Sequence, residues 1–174
     1  MHHDESNAII SSAPRTGSTP SLVYASSLIE DVFYIFGNTG DNISNIKLVR
    51  LLTVPDYRGS LTFIEGNRHV PFDIARVYYL YDIPHTATRG GHAHKELHQL
   101  IIAVSGSFDV FIDNGREQRT VRLDKPNVGL LLCSKTWREL ENFSSGSVCV
   151  VLASIPYEES DYYRDYRDFI RSLK

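Results

Sequence analysis

The sequence predicts an all-β protein, a small sandwich or barrel with one helix at its C-terminal end and a short helical extension at its N-terminal end. Two observations carry the β part. From residue 46 onward, short runs rich in Val, Ile, Leu, Phe and Tyr alternate with turn residues, at intervals that leave no room for helices between them. The chain has 174 residues, 42% of them hydrophobic and 22% charged, which suits one globular domain with a sizeable core. The third observation is that hydrophobic periodicity turns helical at both ends of the chain.

In chain order, residues 1–21 are rich in Ser, Thr, Pro and Asn and are expected to form a flexible tail. Ser27-Leu28-Ile29-Glu30 has the form of a capping box, and Leu28, Ile29, Val32, Phe33 and Phe36 recur at helical spacing before Gly37. A helix over about 28–36 is therefore expected, followed by a polar linker over 37–45; residues 1–45 are read as an extension and 46–174 as the folded domain. Strand-like runs follow at 47–54, 59–65, 74–81, 98–105, 108–112, 118–123, 129–133 and 147–154, and Asn114-Gly115 signals a two-residue hairpin turn. Over 160–174, Tyr162, Tyr166, Phe169, Ile170 and Leu173 fall on one helical face, with Glu158, Glu159 and Asp161 near the start, where the helix dipole favours negative charge. That helix is expected to cap the barrel or to lie along a dimer seam.

Composition narrows the function classes. The net charge of −3 gives no basic signature for nucleic acid or acidic membrane, and no apolar run approaches membrane-spanning length. No signal-peptide pattern opens the sequence, and Cys133 and Cys149, the only cysteines, both sit in apolar runs as expected of buried thiols. A cytoplasmic location is the expectation.

The chemistry concentrates in Arg89-Gly90-Gly91-His92-Ala93-His94-Lys95. On a strand, residues two apart point to the same side, so His92 and His94 should project together. Two such imidazoles can bind a metal, move protons, or serve only as hydrogen-bonded structure. Gly90 and Gly91 suit the close approach of a ligand to the backbone.

A small β-barrel with a His-x-His strand resembles the cupin superfamily, whose metal ligands are usually that pair, a Glu and a later His. His92 and His94 match, but Gln99 stands at the Glu position and Arg138 at that of the later His. A neutral amide and a permanent cation replace two ligands, so no metal and no other cofactor is expected. His98 is the one further imidazole that a metal-dependent reading could enlist.

A longer series of segments resembles one cupin branch, the dTDP-4-dehydro-6-deoxyglucose 3,4-ketoisomerases of deoxysugar biosynthesis, which serve glycans such as lipopolysaccharide or S-layer chains. The segments are Asp56–Leu61, Arg76–Tyr79, Arg89–Lys95, Gly106–Phe108, Asp113–Gly115, Pro126–Leu130, Trp137, Phe143–Ser145, Val151–Ser154 and Tyr157–Tyr166. The resemblance implies a cupin jelly-roll barrel, a homodimer, and a dTDP-linked keto-deoxyhexose as substrate. It also implies an acid–base tautomerisation through an enediol that moves the ketone from C4 to C3. On this reading His92 is the principal base, His94 shuttles a second proton or polarises an oxygen, and Tyr78 donates to the enediolate. Arg89, Arg58 and Arg76 are candidates for a diphosphate clamp, because the guanidinium fork matches phosphate oxygens. Gly91, Gln99 and Arg138 complete the expected substrate-binding set, and Trp137 could stack on a base or pack inside. Arg138, where a histidine is expected after the tryptophan, leaves a catalytically silent sugar-nucleotide-binding module as an alternative, beside the metal-dependent enzyme.

Overall fold

In the computed structural model, residues 29–34 and 46–174 are described. They form thirteen strands and one α-helix. The strands are β1 (Ile29–Tyr34), β2 (Lys47–Leu51), β3 (Thr53–Asp56), β4 (Gly59–Thr62), β5 (Arg76–Leu80), β6 (Arg89–His94) and β7 (Gln99–Ser105). They continue with β8 (Phe108–Asp113), β9 (Gln118–Leu123), β10 (Val128–Leu132), β11 (Trp137–Glu141), β12 (Val148–Ala153) and β13 (Tyr162–Tyr163), and α1 covers Tyr166–Ser172. Two antiparallel sheets face each other: a six-stranded sheet in the order β1-β2-β10-β7-β12-β5, and a five-stranded one in the order β13-β6-β11-β8-β9.

Alternation along each strand decides what fills the space between the sheets. On β7, Ile101 and Ala103 point inward and join Phe108, Val110, Ile112, Leu130, Leu132, Leu140 and Val151 in the main core. Leu100 and Ile102 point outward, under a cover made by Val70 and Phe72. Both faces of β7 are buried, which explains its unbroken apolar run. The outer face of the five-stranded sheet carries a third cluster, in which Ala93 and Trp137 pack on Phe169 of α1. Trp137 thus faces away from the barrel interior, edge-on to Tyr166, and donates from Nε1 to Glu139. Packing, rather than stacking on a ligand, is what the fold gives it.

Three local expectations are corrected. The helix expected over 28–36 is, across Ile29–Tyr34, a strand paired antiparallel with β2; the rest of that span lies outside the described residues. The open edge of β2 offers backbone partners that an isolated helix lacks, and Ile, Val, Phe and Tyr suit a strand. The β8–β9 connection is not a two-residue turn, since Asp113 pairs with Gln118. Asn114 instead anchors a longer loop, its Oδ1 accepting from the backbone N–H groups of Arg116 and Glu117. The C-terminal helix is shorter than expected. Asp165 caps it by accepting from the N–H groups of Arg167 and Asp168. Ahead of it, Glu159–Asp161 form a single 3-10 turn, and Tyr162 and Tyr163 add a strand to β6. This last difference places the candidate site.

Candidate active site

One end of the barrel interior is a cavity of about 320 Å³ lined by residues from both sheets. Tyr78 and Leu80 come from β5, Gln99 and Ile101 from β7, Arg89, Gly90 and His92 from β6, and Arg138 and Leu140 from β11, with Arg164 at the rim. The bend that aims β6 is built from two glycines. Gly90 and Gly91 have φ of +86° and +67°, and the β6–β11 register slips there, pairing Arg138 with His92 and Glu139 with Gly90. A Cβ on Gly90 would meet the carbonyl oxygen of Arg138 at 2.8 Å, whereas one on Gly91 would meet open space. The close approach served by Gly90 is therefore that of a neighbouring strand, and Gly91 does not line the cavity.

His92 and His94 lie edge to face, with ring centroids 5.1 Å apart, and Tyr162 covers both, at 4.8 and 4.3 Å. Their surroundings differ. His92 lines the cavity, and its Nδ1 is buried without a hydrogen-bond partner among the described residues. His94 lies one layer behind the cavity wall, 3% exposed. Its Nδ1 is 2.8 Å from Oδ2 of the buried Asp161, and its Nε2 is 2.7 Å from a terminal nitrogen of Arg138 and 3.3 Å from Nε2 of Gln99. Burial, and then the Arg138 cation, depress both imidazoles, His92 to about 3 and His94 to about 2. Both rings are neutral at cellular pH.

Arg138 is 2% exposed and is the buried cation of the site. It donates to the carbonyl of His92 at 2.9 Å and to His94, and its charge acts on the neighbouring Tyr78 phenol. Burial lowers it to about 10, so it remains charged. Gln99 donates to the Tyr78 hydroxyl, at 3.3 Å. The Tyr78 oxygen thus receives a donor from behind, leaving its own proton for the cavity. Burial pushes the Tyr78 phenol upward, and the Arg138 charge partly offsets this.

The other expected residues are distributed as follows. Arg89 lines the cavity. Arg76 lies over the rings of Tyr78 and Tyr157, at 5.3 and 5.6 Å, outside the lining. Arg58 sits at the tip of the β3–β4 hairpin, 73% exposed and paired with Asp56, away from the cavity of its own chain. His98 stacks on Phe72 on the opposite side of β7, so it does not join the histidine pair. A divalent cation fits this donor set poorly, because the free lone pair of His94 already faces a guanidinium.

Sequence reasoning missed the covering segment. Arg164 grips Glu159 through two hydrogen bonds of 2.9 and 2.8 Å and lies 4.0 Å from the centroid of the Tyr162 ring. Asp161, Tyr162 and Arg164 all fell on an expected helix, and the signal that could have separated them is Asp165, a helix cap placed after them.

Comparison with known proteins identifies the family of this fold. Residues 44–174 match the family described as FdtA: WxcM-like, C-terminal. The TDP-4-oxo-6-deoxy-alpha-D-glucose-3,4-oxoisomerase of Aneurinibacillus thermoaerophilus is 43% identical over 123 residues, covering 71% of this chain and 88% of the relative. Among solved structures, the TDP-quinovose 3,4-ketoisomerase WlaRB of Campylobacter jejuni superimposes with a TM-score of 0.72 at 43% identity, covering 74% of this chain and 99% of that one. A histidine-to-asparagine variant of the 3,4-ketoisomerase QdtA of Thermoanaerobacterium thermosaccharolyticum, solved with TDP-4-keto-6-deoxyglucose, superimposes with a TM-score of 0.73 at 40% identity, covering 74% of this chain and 94% of that one. A cupin-like barrel whose cavity carries a neutral histidine, a tyrosine and a buried arginine, and which matches these relatives over most of its length, belongs to the FdtA, or WxcM-like C-terminal, family of sugar-nucleotide 3,4-ketoisomerases.

Proposed function

We propose that this chain is a 3,4-ketoisomerase that converts dTDP-4-dehydro-6-deoxyglucose to its 3-keto isomer. The observation that carries the reading is the neutral His92 imidazole facing Tyr78 and Arg138 in one cavity. His92 takes the proton from C3, which the adjacent carbonyl acidifies. The C4 oxygen gains a proton to give the enediol. Tyr78 then delivers a proton to C4 as O3 loses its own. In sum C3 and O3 each lose a proton and C4 and O4 each gain one, with no net oxidation. His92 ends protonated and Tyr78 ends as a phenolate, and exchange with solvent, which also serves O3 and O4, restores both before the next turnover. Arg138, held by the His92 carbonyl and by His94, is a fixed donor for the negative oxygen that develops between these steps. Arg89 at the cavity and Arg164 at its rim are placed to receive the diphosphate.

The enzyme is expected to work in the cytoplasm as a homodimer. Among the described helices none is long and apolar enough to cross a membrane. The apolar face of α1 is spent on its own barrel, so it supplies no seam. Edge strand β5 instead exposes Val77, with Tyr79 63% exposed and Tyr81 beside it, and a second copy of this band is the expected partner. Sedimentation of wild type and Tyr79→Glu reads this: a dimer that the charge splits supports it, and a wild-type monomer refutes it.

Incubation with dTDP-4-keto-6-deoxyglucose in D₂O, followed by NMR, tests the activity. Deuterium entering the sugar with appearance of the 3-keto product is the expected result. Binding of TDP with no exchange would leave only a binding module.

A further inference from the structure

The proposed reaction leaves the buried acid beside the histidine pair unused. Asp161 lies on the single 3-10 turn that precedes β13, and its carboxylate accepts two hydrogen bonds at once. Oδ2 faces Nδ1 of His94 at 2.8 Å, and Oδ1 accepts the backbone N–H of Glu96 at 2.7 Å. On the far side of the ring, Arg138 can only donate, at 2.7 Å from Nε2. The direction of every hydrogen in this row is thereby forced: His94 carries its proton on Nδ1 and offers the Nε2 lone pair to Arg138. Among the described residues no carboxylate pairs directly with Arg138, so the nearest compensation for that buried cation reaches it through a neutral imidazole.

We propose that Asp161 is a positioning residue of the isomerase reaction, acting through His94 to set the Arg138 guanidinium against the cavity. His94 is then a relay of hydrogen-bond direction rather than a group that gains and loses protons. Arg138 also donates to the His92 carbonyl and lines the same cavity as Tyr78, on whose phenol its charge acts, so its placement bears on both groups that face the substrate. This inference rests on the ketoisomerase reading for its effect on rate, and on the row of hydrogen bonds alone for its geometry.

Asparagine at position 161 tests it sharply, because the side chain keeps its shape but loses one acceptor. The Glu96 N–H cannot turn round, so the amide oxygen must stay with it and the NH₂ must face His94. Nδ1 then has to accept, the ring proton moves to Nε2, and two donors collide between His94 and Arg138. Nitrogen-15 NMR of histidine-labelled protein should show His94 protonated on Nδ1 in the wild type and on Nε2 in Asp161→Asn. In the same variant kcat should fall by about 10²-fold, the upper end of what losing an outer partner that orients a site residue costs, while KM stays within about threefold. His94→Gln supplies the converse, since its amide can donate to Asp161 and accept from Arg138 without titrating. It should hold kcat within about tenfold of wild type, the lower end of that range. A wild-type His94 protonated on Nε2 overturns the proposal even where the variant fails to fold. So does an Asp161→Asn enzyme with undiminished kcat. A wild type that exchanges no deuterium sinks the ketoisomerase reading instead, and the tautomer measurement, made without substrate, still decides the geometry.

Discussion

A base that takes a proton from carbon works best when its own pKa lies near the working pH, and free His92, at about 3, lies far below it. Burial and the Arg138 cation hold it there, and the second of these is what a dianionic diphosphate entering the cavity would oppose. Substrate should therefore raise the basicity of His92. Since kcat/KM reports the free enzyme and kcat the complex, kcat should show an acid limb at higher pH, whereas kcat/KM should show no histidine limb at 6.5. Rates measured from neutral pH downward check this; a shared limb near the ordinary histidine value would mean that His92 is solvated. Replacing His92 by Asn should cut C3 deuterium exchange by about 10²–10⁴-fold, the usual worth of a positioned base. TDP affinity, measured by calorimetry, should change little.

At the scale of elements, the site depends on strands that run past one another at unusual closeness. Gly90 shows the cost: an added Cβ both strains a φ of +86° and meets the Arg138 carbonyl at 2.8 Å, while Gly91 has the strain without the contact. Gly90→Ala should lose about 1–3 kcal/mol in urea unfolding and Gly91→Ala distinctly less; equal losses would show that the strand contact costs nothing. The two groups proposed to react also come from different sheets, Tyr78 from β5 and His92 from β6. Groups on opposite walls address opposite faces of a sugar ring. Removal of the C3 hydrogen from one face and delivery at C4 from the other gives the gluco-configured 3-keto product. A large H4–H5 coupling in the product spectrum is the expected signature, and a small one would mean that a single wall does both. Much of this was legible in the sequence. The apolar runs of β7, β8, β10 and β12 announced themselves, and so did the His92 and His94 pair. Strand β11 did not, because Arg138 is buried where a strand pattern leads one to expect an apolar residue. Strand β13 hid inside a helical periodicity that Tyr162 and Tyr166 share by accident, one covering the histidines and the other packing on Trp137.

For the molecule as a whole, the same burial that prepares the site makes stability depend on pH. Each histidine of the pair has a folded pKa well below its ordinary value of 6.5, at about 3 and about 2. Below pH 6.5 the unfolded chain binds protons that the native state refuses, so acid favours unfolding. The contribution of the pair is therefore complete above about pH 6.5 and is lost progressively as pH falls toward the folded values. Between pH 7 and pH 5 this amounts to about 2 kcal/mol for each neutral buried histidine. Asp161 sits beside His94 and Arg138 beside both, but Arg138 keeps its charge throughout this range, so the histidines set the slope. Urea unfolding at the two pH values should show the wild type weaker at pH 5 by about 4 kcal/mol from the pair, to which His69, also lowered by burial, adds in the same direction. His94→Gln removes one titrating ring while keeping both of its hydrogen bonds, and it should remove about half of that difference. A pH dependence that His94→Gln leaves unchanged would mean that the ring is already solvated in the native state and that the barrel mouth admits water behind Arg138.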